Sequence, residues 1–155
     1  MTRARELAEL ASVYDSSALS HRNLIINGAQ NVHQRGNQTG LTASAYGTDR
    51  FEFIASGRDE LVYNLAQNTD VPSGYGFANS LSFQATTPES AIAANEYAFI
   101  SQKIEAQNLQ HLAYGTSSAK KLTASFWVKS SVTGTFCLGL YKDDNTAQVH
   151  NKTYT

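Results

Sequence analysis

From Asn23 onward, the chain alternates short apolar segments with clusters of Gly, Asn, Ser and Thr. This spacing constrains the fold most, because short apolar segments bounded by turn residues predict β-strands. No long helical pattern separates the segments, which favours a β-sandwich over an α/β arrangement. The predicted strands span residues 24–26, 51–54, 61–66, 77–84, 97–104, 122–129 and 136–142.

The clearest pattern is a predicted hairpin formed by residues 122–129 and 136–142. In both strands, apolar side chains recur at every second position. Pairing Phe126 with Leu138 puts both apolar sets on one face, and a slip by one residue would destroy that match. The core between two sheets is therefore expected to contain Phe126, Val128, Phe136 and Leu138.

The same register puts Trp127 and Tyr141 on the opposite, polar face, where Gly139 leaves a gap between the two rings. Aromatic rings on a polar sheet face stack on sugars, while hydroxyl side chains hydrogen-bond sugar hydroxyls. The candidate glycan-binding residues are Trp127, Tyr141, Thr123 and Ser125. The alternative is that a loop or a neighbouring subunit covers Trp127, since large rings are highly buried on average.

The first twenty residues have a different pattern. Leu7, Leu10 and Tyr14 form an i, i+3, i+7 stripe among Arg and Glu side chains, which predicts a short amphipathic helix followed by a linker through Ser20. Helices under about 12 to 15 residues are marginal in water when isolated, so the stripe should dock on this domain or on another chain. Residues 1–20 are accordingly predicted to mediate assembly or attachment.

The length of 155 residues suits one core, so residues 23–155 are predicted to form one β-sandwich domain. The sequence stops at Thr155 within another strand-like segment, without a closing turn. This ending suggests that the domain is incomplete at its C-terminus and that the chain is a fragment of a longer protein.

Charge and apolar content exclude several classes of partner. Lys plus Arg total 12 and Asp plus Glu total 13, so the formal net charge of −1 provides no basic field for nucleic acid or an anionic bilayer. No apolar run approaches the roughly 18 to 20 residues of a membrane helix, and the first residues do not resemble a signal peptide. Cys137 is the only cysteine and can form no internal disulfide. We therefore expect folding in a cytoplasm and no membrane insertion.

No pattern typical of catalysis or metal binding is present. The histidines lack the spacing of a metal site, and neighbouring carboxylates such as Asp59 and Glu60 lie in turn-like stretches. Residues 74–76 read Gly-Tyr-Gly but lack the strand and helix that flank a phosphate loop, so they predict a turn. No enzyme activity, cofactor or metal is predicted. The histidines are His21, His33, His111 and His150.

Four segments carry a resemblance to a known domain. Residues 23–36 follow the pattern N-L-I-I-N-G-x-x-x-V-x-Q-R-G, and residues 46–51 follow Y-x-x-D-R-[WF]. Residues 97–105 follow Y-x-x-I-x-Q-x-I-E, and residues 119–130 follow A-K-x-L-T-x-S-F-W-V-K-S. In this order, the segments resemble a domain of tail-fibre and other virion proteins of tailed bacteriophages, especially marine ones.

The resemblance implies a jelly-roll β-sandwich, similar to carbohydrate-binding modules, in a non-enzymatic structural protein of the virion. It implies a tail fibre or related appendage involved in host attachment, assembled in the host cytoplasm with other virion proteins, with a homotrimer as the default assembly. A capsid decoration protein and a free-standing carbohydrate-binding lectin module are the alternatives, and a host-surface glycan is the expected ligand if one is bound. The family provides no catalytic residues. Physically, Asp49 and Arg50 offer a buried or edge ion pair.

Overall fold

The computed structural model describes residues 3–15, 23–143 and 146–155, without the side chains of residues 10–15. The described chain is mainly β, with antiparallel sheets and few helices, which confirms the predicted fold class at this level. The chain divides into two units, Met1–Leu122 and Thr123–Thr155. Its elements are α1 (Arg3–Asp15), β1 (Gln38–Leu41), β2 (Ala45–Tyr46), β3 (Glu52–Ser56), β4 (Val62–Asn68), β5 (Ser80–Thr87), β6 (Tyr97–Ser101), a 3₁₀ helix (Ala106–Leu112), β7 (Phe136–Lys142) and β8 (Gln148–Tyr154).

The first unit contains two three-stranded antiparallel sheets. The first sheet has the order β1-β4-β5 and the second sheet has the order β2-β3-β6. The chain crosses from the first sheet to the second between β1 and β2, returns between β3 and β4, and crosses again between β5 and β6. The successive pairs β2–β3 and β4–β5 therefore lie in different sheets.

Side chains from both sheets form the core of the first unit. Phe53 on β3 packs against Tyr63 on β4, with ring centroids 4.3 Å apart, and Leu65 lies beside them. Phe83 on β5 stacks on Phe53 at 4.6 Å, so the aromatic cluster extends to the edge of the first sheet. Tyr63 and Leu65 are 0% exposed, so the centre of this cluster is fully buried.

The core tyrosine is held at its polar end. The Tyr63 hydroxyl donates a hydrogen bond to the Ala43 carbonyl at 2.5 Å. Burial raises the pKa of Tyr63, and the nearby Arg58 guanidinium partly opposes that shift. Arg58 itself donates to the carbonyls of Thr42 and Ala55, so it links the loop before β2 to the end of β3.

Four of the predicted strands in the first unit match observed strands with shifted ends. The predictions for 51–54, 61–66, 77–84 and 97–104 correspond to β3, β4, β5 and β6. The prediction for 24–26 is wrong, because the chain enters a turn there. Asn27 and Gln30 adopt positive φ angles of 56° and 57°, which a continuing strand cannot accommodate.

The helix α1 confirms the predicted N-terminal helix. Arg5 and Glu9 form an i, i+4 ion pair at 3.5 Å on its surface. Leu7 is exposed, while the side chains of Leu10 and Tyr14 and the predicted linker through Ser20 lie outside the described residues. No helix in the described ranges is long and apolar enough to cross a membrane.

In the second unit, the predicted strand 136–142 is confirmed as β7, but its predicted pairing is wrong. β7 pairs with β8, and residues 123–130 form no strand. Phe126 is 49% exposed and Val128 is 56% exposed, so the core predicted from them with Phe136 and Leu138 is also wrong. Period-two alternation predicts which side chains share a face, but it does not identify the partner strand, and here β7 pairs with the strand that follows it.

Candidate functional site

Three of the four segments that carry the family resemblance, residues 23–36, 46–51 and 97–105, meet around Asn27. Its side-chain amide donates to the carbonyls of Val32 and Asp49, both at 2.9 Å, and its side-chain oxygen accepts from the Val32 amide at 3.0 Å. One asparagine therefore closes its own loop and fastens it to the segment before β3. Asn is one of the few residues other than Gly that adopts a positive φ readily, which explains its use at this corner.

Asp49 and Arg35 make a second connection between the same two segments. The Asp49 carboxylate accepts a hydrogen bond from the Gln34 amide at 2.7 Å and lies 3.5 Å from the Arg35 guanidinium. The same guanidinium lies over the Tyr46 ring, 5.1 Å from its centroid. Arg35 thus contacts both the tyrosine and the aspartate of the Y-x-x-D-R-[WF] pattern.

Arg50 connects this corner to the chain beyond β6. Its guanidinium donates to the Glu105 carboxylate at 2.7 Å and to the Lys103 carbonyl at 3.2 Å. The hydrogen bond from Arg50 is the largest of the effects that lower the pKa of Glu105. Asp49 and Arg50, expected to offer an ion pair, therefore each pair with a different residue, at positions that are partly exposed.

Gln102 fastens the first motif segment to the end of β6. Its side-chain oxygen accepts from the Ile26 amide at 2.8 Å, and its side-chain nitrogen donates to the Ile26 carbonyl at 2.7 Å. The Gln102 side-chain amide thus forms with the Ile26 backbone the two hydrogen bonds that a neighbouring strand would otherwise form. We refer to the side chains of Asn27, Arg35, Asp49, Arg50, Gln102 and Glu105 as the motif network.

The motif network has a structural role, because its side chains hold segments of the chain together. Every one of its side chains binds backbone groups or an opposite charge from another segment, and this pairing satisfies polar groups that would otherwise lack partners. In the sequence, only the resemblance marks these residues as a group. Their polar identity gave no indication of which segments they join, because the partners lie up to 76 positions apart in the chain.

The predicted glycan-binding residues lie in the second unit and are all exposed. Tyr141 and Gly139 lie on β7, where their partners on β8 are Val149 and Asn151. The expected neighbours Thr123 and Ser125 belong to the segment that forms no strand. The structure therefore does not bring Trp127 onto a strand next to β7, and the involvement of these residues in glycan binding stays a prediction.

One group of carboxylates in the described ranges lies close enough together that it could hold a cation. Asp59, Glu89 and Glu96 place carboxylate oxygens within 4.8 Å of one another. Oxygen ligands of this kind suit a hard cation such as Ca²⁺. Glu89 and Glu96 also accept hydrogen bonds from the Glu60 and Ala93 amides, so the group has a role in the loops without an ion.

Comparisons of the chain with protein-family models, with curated proteins and with solved structures give no significant match.

Proposed function

We propose that this protein is a non-enzymatic structural protein of a tailed-phage virion, a tail fibre or related appendage that takes part in host attachment. The observation that carries the proposal is the motif network. Three of the segments that resemble the phage domain meet there through side chains of the resembling positions. Motif residues that pack together in space indicate a shared fold better than the same residues scattered over a surface.

The proposed fold is a jelly-roll β-sandwich. Its support is the strand order: β3 pairs with β6 and β4 pairs with β5, in two different sheets. This nested pairing arises when a long antiparallel hairpin rolls up, which is how a jelly roll is built. An experimental structure with two facing sheets in jelly-roll strand order would support the fold, and closure of the sheets into a barrel would contradict it.

Location on the particle is the direct test of the proposed function. Antibodies raised against the purified chain should label particles of the phage that encodes it at the tail or its fibres. Labelling of the capsid shell would favour a decoration protein, and particles without label would contradict a virion role altogether. Localisation to the virion is part of the proposal, as is assembly with other virion proteins in the host cytoplasm.

Residues 1–20 are proposed to attach the protein to the particle or to sister chains. The exposed Leu7 on α1 supports this role, because an apolar side chain in a short helix gains stability only when something covers it. Deletion of residues 1–20 should leave the β-sheets folded but prevent incorporation into particles. Normal occupancy of the truncated protein would contradict the assignment.

Glycan binding is the second candidate function, favoured by the exposed Trp127 and Tyr141 rings. A single stacking ring gives weak binding, near the millimolar range or about −4 kcal/mol, so adhesion would need several copies. A glycan array should compare the intact protein with Trp127→Ala and Tyr141→Ala variants that remain folded. Undiminished binding by both variants would exclude these residues.

A further inference from the structure

Asn27, which lies at the centre of the motif network, has a chemically reactive neighbour. It is followed by Gly28, and this is the only Asn-Gly pair in the sequence. In such a pair, the backbone nitrogen of the glycine can attack the side-chain carbonyl carbon of the asparagine, because the glycine has no Cβ to hinder the approach. Asparagine is for this reason among the heat-labile residues of proteins. The side chain that fastens the loop to the segment before β3 is therefore open to deamidation.

Deamidation at this pair needs no reagent besides water. The Gly28 nitrogen forms a bond to the side-chain carbon of Asn27, and the bond from that carbon to the side-chain nitrogen breaks. The proton of the Gly28 amide passes through water to the leaving nitrogen, which departs as ammonia. Water then opens the cyclic imide at either of its carbonyl carbons. The product is aspartate or isoaspartate, and both carry a carboxylate in place of the amide.

The folded corner opposes this reaction. The side-chain nitrogen of Asn27 donates to the carbonyls of Val32 and Asp49, both at 2.9 Å, so both of its N–H groups are bonded. The nitrogen cannot leave until both hydrogen bonds break. Gln102 also holds Ile26, the residue before Asn27, through both of its backbone groups. Deamidation therefore requires the corner to open first, as a local event that the motif network resists.

The product of deamidation does not fit the closed corner. An ionised carboxylate accepts hydrogen bonds and donates none. In the place of the Asn27 amide it would face the carbonyl oxygens of Val32 and Asp49, which are acceptors as well. The Val32 carbonyl keeps the Asp49 amide as a donor at 3.1 Å, but the Asp49 carbonyl loses the bond from Asn27. Isoaspartate also adds a carbon to the backbone within the turn.

We propose that Asn27–Gly28 is a site of spontaneous deamidation that the motif network guards. The reaction takes place when the corner opens, and its product holds the corner open. Because opening and closing are faster than the chemical step, the rate of deamidation follows the fraction of molecules in which the corner is open. The proposal concerns the chemistry of the chain itself, so it does not depend on the proposed virion role.

The first test compares the folded chain with the same chain unfolded in urea, both kept in warm, mildly alkaline buffer. Mass spectrometry of proteolytic peptides measures the deamidated fraction at Asn27 over time. We expect the folded chain to react more than about tenfold more slowly. In urea, Gly28→Ala should slow the reaction, because its Cβ hinders the attacking nitrogen. Equal rates for the folded and unfolded chain would overturn the guarding role, and no reaction at Asn27 in urea would overturn the site.

A second test opens the corner from outside the reacting pair. Gln102→Ala removes both hydrogen bonds to Ile26, so the folded variant should deamidate at Asn27 several times faster than the unchanged protein. Tyr63→Phe is the matched control, because it removes a side-chain hydrogen bond to the Ala43 carbonyl elsewhere in the same unit, and it should deamidate like the unchanged protein. Acceleration in both variants, or in neither, would overturn the guarding role of the motif network.

A third test examines the product without the reaction. Asn27→Asp places the carboxylate at the corner, so it should lower the midpoint of urea denaturation and speed hydrogen exchange at the Val32 amide. Asn23→Asp is the matched control, because the Asn23 side-chain oxygen accepts a hydrogen bond from the Ile25 amide and a carboxylate still accepts it. Its midpoint should stay unchanged. Equal midpoints and equal exchange for the two variants would overturn the claim that the product holds the corner open.

Discussion

Residues 23–122 and residues 123–155 contain similar short apolar segments but differ in what those segments pack against. In the first region, Phe53 and Tyr63 from different sheets bury each other. In the second region, the rings of Phe126 and Phe136 each contact the Tyr154 ring and are partly exposed. The difference shows that alternation alone ensures neither a strand, since residues 123–130 form none, nor burial, which requires a second layer of structure. An isolated two-stranded hairpin is marginally stable at best in water.

The largest expected effect compares one ring from each region. Phe53→Ala should lower the free energy of unfolding by about 3 to 5 kcal/mol, because it leaves a cavity among side chains that cannot easily collapse. Phe126→Ala should cost about 1 kcal/mol or less, since half of its surface already contacts solvent. Chemical denaturation of both variants measures the two values. Equal losses would show that Phe126 is buried in solution.

The same contrast explains how much of the fold the sequence predicts. The strands β3, β4 and β7 follow from apolar segments bounded by turn residues, and α1 follows from the spacing of Leu7, Leu10 and Tyr14. These are local signals. The partner strand of β7 cannot be predicted from local sequence, because the alternating pattern of residues 122–129 matches β7 as well as the pattern of β8 does. The preference for β8 is visible only once the backbone pairing is known.

The candidate site, too, can be predicted from the sequence only in part, as the motif network shows. Asn27 is recognisable as a turn residue, since Asn-Gly is a strong turn signal. Its bond to the Asp49 carbonyl joins residues 22 positions apart, and no spacing rule predicts such a contact. The resemblance marked Asn27, Asp49 and Gln102 as belonging together, whereas the structure gives the hydrogen bonds that connect them.

The second prediction tests whether long-range side-chain bonds stabilise the first region. Asn27→Ala removes hydrogen bonds to Val32 and Asp49 and leaves their backbone groups without these partners, so we expect a loss of about 1 to 3 kcal/mol. Asn23→Ala is the matched control, because among the described residues the Asn23 side chain accepts only a local hydrogen bond, from the exposed Ile25 amide. Denaturation curves for the two variants should differ in midpoint with similar slopes. Equal midpoints would show that the loop closes without Asn27.

The smallest expected effect concerns the ion pair between Arg50 and Glu105. The hydrogen bond from Arg50, followed by smaller contributions that include Asn108, lowers the pKa of Glu105 in the folded protein below its ordinary value of 4.5. A carboxylate with a lowered folded pKa binds fewer protons in the folded state than in the unfolded state. Its stabilising contribution is therefore complete above pH 4.5 and is lost as the pH falls through the folded pKa.

Glu105→Gln should accordingly lower stability slightly near neutral pH and converge with the unchanged protein in acid. The loss should be small because Arg50 and Glu105 are 37% and 45% exposed, and water screens such pairs. Glu9→Gln is the control, since the Arg5–Glu9 pair lies on α1 at 3.5 Å with both side chains largely exposed, and it should change stability little at any pH. Thermal unfolding from pH 3 to 7 measures both variants. A Glu105→Gln effect that persists unchanged in acid would mean that the shape of the glutamate, and not its charge, fastens Arg50 to the chain beyond β6.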